Sequence, residues 1–195
     1  MANPAGFLAH LIKLIITIIC LKYFEGVLST ITVRACQIFL VHSIIGMFRF
    51  GNTGGLISRR NVREFYERTS NIVEVIPFSM ISYEISKRCE IDEVLRQSLL
   101  LILMLLPIVH EIISRKERSK IRILINYAIN LELIIITIVC LQRGVFGVLN
   151  LVISYIFNRY FVESFCDWFD VPYDDLIQYS LCFVQIFSLT TLKEL

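Results

Sequence analysis

The sequence predicts an all-α fold, a polytopic transmembrane helical bundle of about six to seven membrane segments forming a single integral membrane domain over residues 1–195. Three observations predict it. The chain is 56% hydrophobic and 18% charged, against about 45–50% and about 25% in a typical soluble domain, and its mean hydropathy is +0.69. Its apolar residues fall into many bilayer-length runs. A soluble domain of this size buries roughly 70% of its unfolded surface; one or two such runs would fit its core and six or seven do not. The basic residues, finally, cluster in short connections rather than on one long face.

Seven apolar segments follow in order: residues 7–21, 27–48, 72–85, 94–113, 121–141, 145–161 and 176–192. A spanning helix wants about 20 residues. The second, fourth and fifth segments meet that length, and the sixth and seventh stand at its lower limit. The first is short and can borrow Lys22, Tyr23 and Phe24 through snorkelling and interfacial aromatic anchoring. The third holds Glu74, Pro77 and Glu84, so three placements are open to it: re-entrant, interfacial, or packed inside the bundle. No segment has 18 residues free of charge. One central charge costs about 2.5–3.5 kcal/mol while each Leu, Ile, Phe or Val returns about 0.3–0.6, so an aliphatic helix can carry one.

Two connections are basic. Residues 49–70 hold Arg49, Arg59, Arg60, Arg63 and Arg68 against Glu64 and Glu67, and residues 114–122 hold Arg115, Lys116, Arg118, Lys120 and Arg122 against Glu117. The positive-inside rule puts both in the cytosol, which requires an even number of crossings between them. The third segment must then span with the fourth, giving seven. The N-terminus falls in the cytosol, Cys89 and the C-terminus outside. Residues 51–55 read as a glycine turn, followed by a short amphipathic helix over 58–69 along the cytosolic interface. No basic stretch precedes the first apolar run and no small-residue cleavage site follows it, so it reads as a retained helix.

The formal net charge of +2 and the scattered basic residues argue against nucleic acid as a partner. The expected partners are the lipid bilayer and other membrane proteins or a second copy of the chain; endomembrane and plasma membrane fit equally. The six cysteines show no C-x-x-C pair, and neither zinc nor a disulfide framework is indicated. Cys20, Cys36, Cys140 and Cys182 read as small hydrophobes inside apolar runs, Cys89 and Cys166 as loop-exposed. His110-Glu111 does not open an H-E-x-x-H metal motif, because Ser114 stands where its second histidine belongs. No cofactor or catalytic motif is visible, so the protein reads as non-enzymatic.

What remains are charges within spans: Lys13, Arg34, Glu74, Glu132 and Arg159. Each must face protein, water or an opposite charge, and structural pairing is favoured over an ion or proton path. Glu132 with Arg159 is the first expected pair, since a tight connection makes their helices antiparallel neighbours; Arg34 or Lys13 with Glu74 is the second. His10, His42 and His110 are read as satisfied bundle histidines. Asp167, Asp170, Asp174 and Asp175 read as a solvated acidic loop rather than a metal site.

In the last segment, Tyr179-Ser180-Leu181-Cys182-Phe183-Val184-Gln185 resembles the signature near the end of insect gustatory receptors, T-Y, five apolar residues, Q-F. Gln178 stands here for the Thr and Ile186 for the Phe. The resemblance covers about ten residues and the chain has about half that family's length. It implies a seven-helix, ligand-gated cation channel. The leading functional expectation is a structural, assembly or lipid-organising membrane component; a small channel, carrier or chemoreceptor-like protein is the alternative.

Overall fold

The computed structural model describes residues 3–51 and 59–195. Residues 52–55 of the turn expected over 51–55, and residue 58, lie outside the described residues. Helix α1 (Pro4–Tyr23) begins where the Asn3 side chain accepts the Gly6 N–H at 3.3 Å and Pro4 supplies a helix-ready φ. Helix α2 (Thr30–Phe50) starts at a Ser29 cap, and α3 (Arg59–Arg88) runs through Pro77. Helix α4 (Glu93–Ile112) starts where the Asp92 carboxylate takes the Leu95 N–H at 3.1 Å, a position the helix dipole also favours. Helix α5 covers Arg115–Gln142. The sixth rod joins α6 (Gly147–Ile156), a π segment (Phe157–Phe161) and α7 (Val162–Phe169) without a break. Asp170, in the left-handed region at φ 51°, ends that rod, and α8 (Tyr173–Glu194) follows Pro172. Among the described residues there are thus seven helical rods and no strand.

The rods alternate in direction. At one end the Asn3 N–H donates to the Phe50 carbonyl at 3.1 Å, Arg49 stands 3.8 Å from Asp174, and Asn71 donates to Glu111 at 2.8 Å. At the other, Arg88 donates to the carbonyls of Leu192 and Val27, Arg143 to that of Cys89 at 2.9 Å, and the Gly147 N–H to Glu194 at 3.0 Å. Both basic connections therefore lie at the same end as the start of α1, as two crossings between them require.

Successive rods pack side by side, and α8 returns against α1 to close a ring, with α3 also touching α5 and α8. The main core forms between them: Phe78, Ile81 and Ile85 of α3 meet Leu189 and Leu192 of α8, Ile129 and Ile136 of α5 and Tyr155 of α6. The Phe78 and Tyr155 ring centroids are 3.9 Å apart.

Five rods, α1, α2, α4, α5 (from Lys116) and α8, are long and apolar enough to cross a membrane. The least apolar of them is also the most buried. In its most apolar stretch α4 is 17% buried, whereas α8 is 61% buried and the least apolar of the five. The polar-tolerant positions are those facing protein, since lipid-facing surface must be aliphatic whatever it packs against. Helix α3 carries this furthest. From Val73 to Ser86 its residues are buried except for the half-buried Glu74 and Tyr83, so of the three placements open to 72–85 the observed one is inside the bundle.

Three expectations are corrected. The 58–69 helix does not lie apart along an interface but continues into the 72–85 segment as one helix, because nothing breaks it: Thr69 and Ser70 return their hydroxyl protons to the Tyr66 carbonyl at 3.0 and 2.8 Å. The sixth segment does not stop at Phe161 but reaches Phe169 through the π turn. Cys89 and Cys166 are buried, at 4% and 6% exposure. Cys89 tucks under Arg143 with its sulfur 3.8 Å from that of Cys140, and Cys166 lies on the inner face of α7.

Candidate functional site

Two polar centres sit within this apolar frame. The first is built on the inner stripe of α1: Gly6, Ala9, His10, Lys13, Thr17 and Cys20 recur at helical spacing and all are buried. Lys13 is fully buried. Its amine donates to Gln178 Oε1 of α8 and meets His42 Nδ1 of α2 at 2.8 Å. The proton positions follow from the neighbours. Because the Ser70 hydroxyl donates to the Tyr66 carbonyl, it can only accept from His42 Nε2, at 3.2 Å. His42 therefore carries its proton on Nε2 and offers the Nδ1 lone pair to Lys13. The Gln178 amide donates to the Tyr66 hydroxyl at 3.3 Å, and that hydroxyl faces His10 Nε2 at 3.0 Å. Lys13 thus joins α1, α2, α3 and α8 in one hydrogen-bonded cluster. One turn further along, Thr17 donates to the fully buried Gln185 at 3.0 Å.

The second centre is a polar cavity of about 230 Å³ at the end of the bundle that carries the basic connections, walled by α3, α4, α5, the π segment and α8. Its defining contact is an ion pair between Arg159 Nη1 and Glu74 Oε2 at 2.7 Å, with side chains 10% and 11% exposed. The remaining Arg159 donors meet Asn126 Oδ1 at 2.9 and 3.1 Å, and the Tyr155 hydroxyl donates to the Glu74 carbonyl at 3.2 Å. Asn71, His110, Arg122 and Tyr173 complete the polar lining. Two helix irregularities frame it. Pro107, which lines it, lacks an N–H and interrupts the α4 ladder, and Arg159 rides the π turn, a feature that recurs at functional sites.

The five charges singled out in the sequence are distributed differently from the expected pairs. Arg159 meets Glu74, not Glu132, because it approaches α5 at Asn126, about 9 Å along that helix from Glu132. Glu132 is 2% exposed and its Oε2 has no hydrogen-bond partner among the described residues. Lys13 takes His42 and Gln178 in place of Glu74. Arg34 is exposed on α2 and, among the described residues, bonds only Gln37, at 3.0 Å. His10 and His42, from separate helices, come to a ring-centroid distance of 5.5 Å. His110 stands in the second centre, bonded to Glu111 at 3.1 Å. Of the acidic group, Asp174 and Asp175 begin α8 rather than lying in a loop, Asp170 caps α7 and Asp167 lies on it.

Sequence reasoning missed Gln178, Tyr66, Asn71 and Asn126. For the first centre a signal existed: polar and small residues at helical spacing in aliphatic helices, 6-9-10-13-17-20 in α1 and 32-35-36-42-43-46 in α2, mark the inward face. Tyr66, Asn71 and Asn126 carried no comparable mark.

Fold and interior together define a class: a seven-rod helical bundle with five helices long enough to cross a membrane and a polar interior. The family described as Domain of unknown function (DUF4791) matches residues 29–193, and the chain belongs to it. No curated protein and no solved structure matches the chain.

Proposed function

We propose that the protein is a non-enzymatic, multi-pass membrane protein that binds a small ligand in the Glu74–Arg159 cavity, of the channel, carrier or chemoreceptor-like kind. The observation that carries the reading is a charged, half-open cavity between five rods, at the end where two flanking helices are irregular. Its volume, about 230 Å³, is below the roughly 300–1,000 Å³ of drug-sized sites, so the ligand is small. Glu74 and Arg159 cancel, the Glu111 carboxylate is taken up by Asn71 and His110 of the lining, and Arg122 is the one lining charge with its donors left over among the described residues, so an anion is taken on the Arg122 side of the cavity. The bilayer is its surrounding, with the basic end in the cytosol.

The test is a thermal-shift screen of the purified full chain in detergent against phosphate and small mono- and dicarboxylates, beside Arg122→Gln. Arg122 is exposed, so its replacement leaves the fold intact. A stabilisation by one of these anions that Arg122→Gln weakens supports the reading; equal shifts in both proteins, or none, overturn it.

A second reading, a structural, assembly or lipid-organising component, is favoured by the way Lys13 and Arg159 are spent on clasps between helices. It predicts that the chain co-purifies with a membrane partner or with itself and that Arg122→Gln leaves that association unchanged.

A further inference from the structure

Of the three cations among the five charges, Lys13 meets a buried amide and Arg159 a carboxylate, and Arg34 is the one that neither kind of group engages among the described residues. It lies one turn into α2, at the end opposite the basic connections, exposed beside an exposed Gln37. Helical side chains lean toward the helix N-terminus, which aims the guanidinium at the near membrane face. Gln37 gives its Oε1 to Arg34 at 3.0 Å, leaving its amide N–H groups available.

Directly below this pair a groove of about 320 Å³ runs between α2 and α3. Ile38, Val41 and Ile45 of α2 and Ile72 and Val73 of α3 line it, and its surface is almost wholly apolar. From Arg34 to Ile45 the groove measures about 16 Å along the helix. One leaflet of a hydrocarbon core is about 15 Å deep. A cation and a donor at the head of an apolar channel one leaflet long are complementary to an amphiphile with an anionic head and a single acyl chain lying along the protein.

We propose that the α2–α3 groove is a specific site for an anionic phospholipid of the bilayer, with the phosphate on Arg34 and Gln37 and one acyl chain along Ile38, Val41 and Ile45. The site is separate from the Glu74–Arg159 cavity and does not depend on its ligand. Arg34 thereby gains a countercharge that none of the described residues supplies, and guanidinium, with its fixed fork of donors, suits a phosphate better than an ammonium would.

The experiment uses the purified full chain in mixed micelles containing phosphatidylglycerol and phosphatidylcholine at equal mole fraction, with retained lipid counted by mass spectrometry. The wild-type chain should retain phosphatidylglycerol about tenfold over phosphatidylcholine, the preference expected of one charge-assisted contact. Arg34→Gln should bring the ratio near parity, and Arg34→Lys should keep part of it. Ile38→Trp, which fills the groove, should lower retention of both lipids. Leu131→Trp, on an exposed face of α5, should change neither. Arg34 is exposed, so its variants report on lipid even if Ile38→Trp fails to fold. Parity in the wild type, or an unchanged preference in Arg34→Gln, overturns the proposal.

Discussion

The Arg159 guanidinium closes on the Glu74 carboxylate at 2.7 Å, joining the π segment of the sixth rod to α3, the central helix of the bundle. Removing one partner strands the other, nine-tenths buried, without a countercharge, and such a loss costs about 3–5 kcal/mol. Glu74→Gln and Arg159→Gln should each destabilise the chain by that order in detergent unfolding. The double variant should lose clearly less than the sum of the two. Additive losses would mean the two side chains do not act as a pair.

Lys13 poses a different problem, because both its named side-chain partners are neutral acceptors. Lys13→Met keeps the length and apolar stem but leaves Gln178 Oε1 and His42 Nδ1 without a donor, at about 1–3 kcal/mol each. The loss should be recovered in part when Gln178→Leu is added, since that removes one of the stranded acceptors. If Lys13→Met unfolds no earlier than the wild type, the cluster does not hold these helices together.

Gly46 faces the His10 ring so closely that a methyl group on its Cα would overlap the ring atoms. His10 is fully buried, edge-on to Tyr66 and stacked on Phe50, and has no free space to yield. Gly46→Ala should cost about 1–3 kcal/mol, the usual range for overpacking. Gly26→Ala is the control: nothing lies within 4 Å of its Cβ position, and its unfolding should match the wild type. Equal stability of both variants would contradict the close α1–α2 approach.

How much of this was legible in the sequence depends on what hydropathy measures. It reports contact with lipid, so it found the aliphatic α4 and α5 at once and undervalued α3, which is buried on nearly all sides and free to carry Glu74, Ser79, Ser82 and Glu84. The inner face of α1 was written in its polar and small residues. The partners were not. Gln178 reaches Lys13 only because α8 returns to close the ring, and Arg159 faces Glu74 through a π turn that no residue in 157–161 announces. Tertiary closure and helix register decide such contacts, and a one-dimensional pattern contains neither.

The six cysteines, all free and all buried, give a direct check on that closure. A reagent must reach the sulfur to react with it, and none of the six is exposed. A water-soluble maleimide applied to the folded chain should label none of them rapidly, and denaturant should release six. Fast labelling of Cys89 or Cys166 in the folded protein would restore the loop-exposed reading and remove the Cys89–Cys140 contact.

Sidedness supplies the last prediction. Alternation of seven rods puts the start of α1 and both basic stretches at one end and Cys89, residues 143–146 and the end of α8 at the other. The bundle geometry requires this division whatever the membrane, and the positive-inside rule then assigns the basic end to the cytosol. A glycosylation acceptor inserted at 90–92 should be modified and one inserted in 114–120 should not. Modification of both would place α4 outside the set of crossing helices. Modification of 114–120 alone would invert the bundle, leaving the helix packing unchanged but carrying the Glu74–Arg159 cavity to the outer face, where its ligand would arrive from outside the cell or from an organelle lumen.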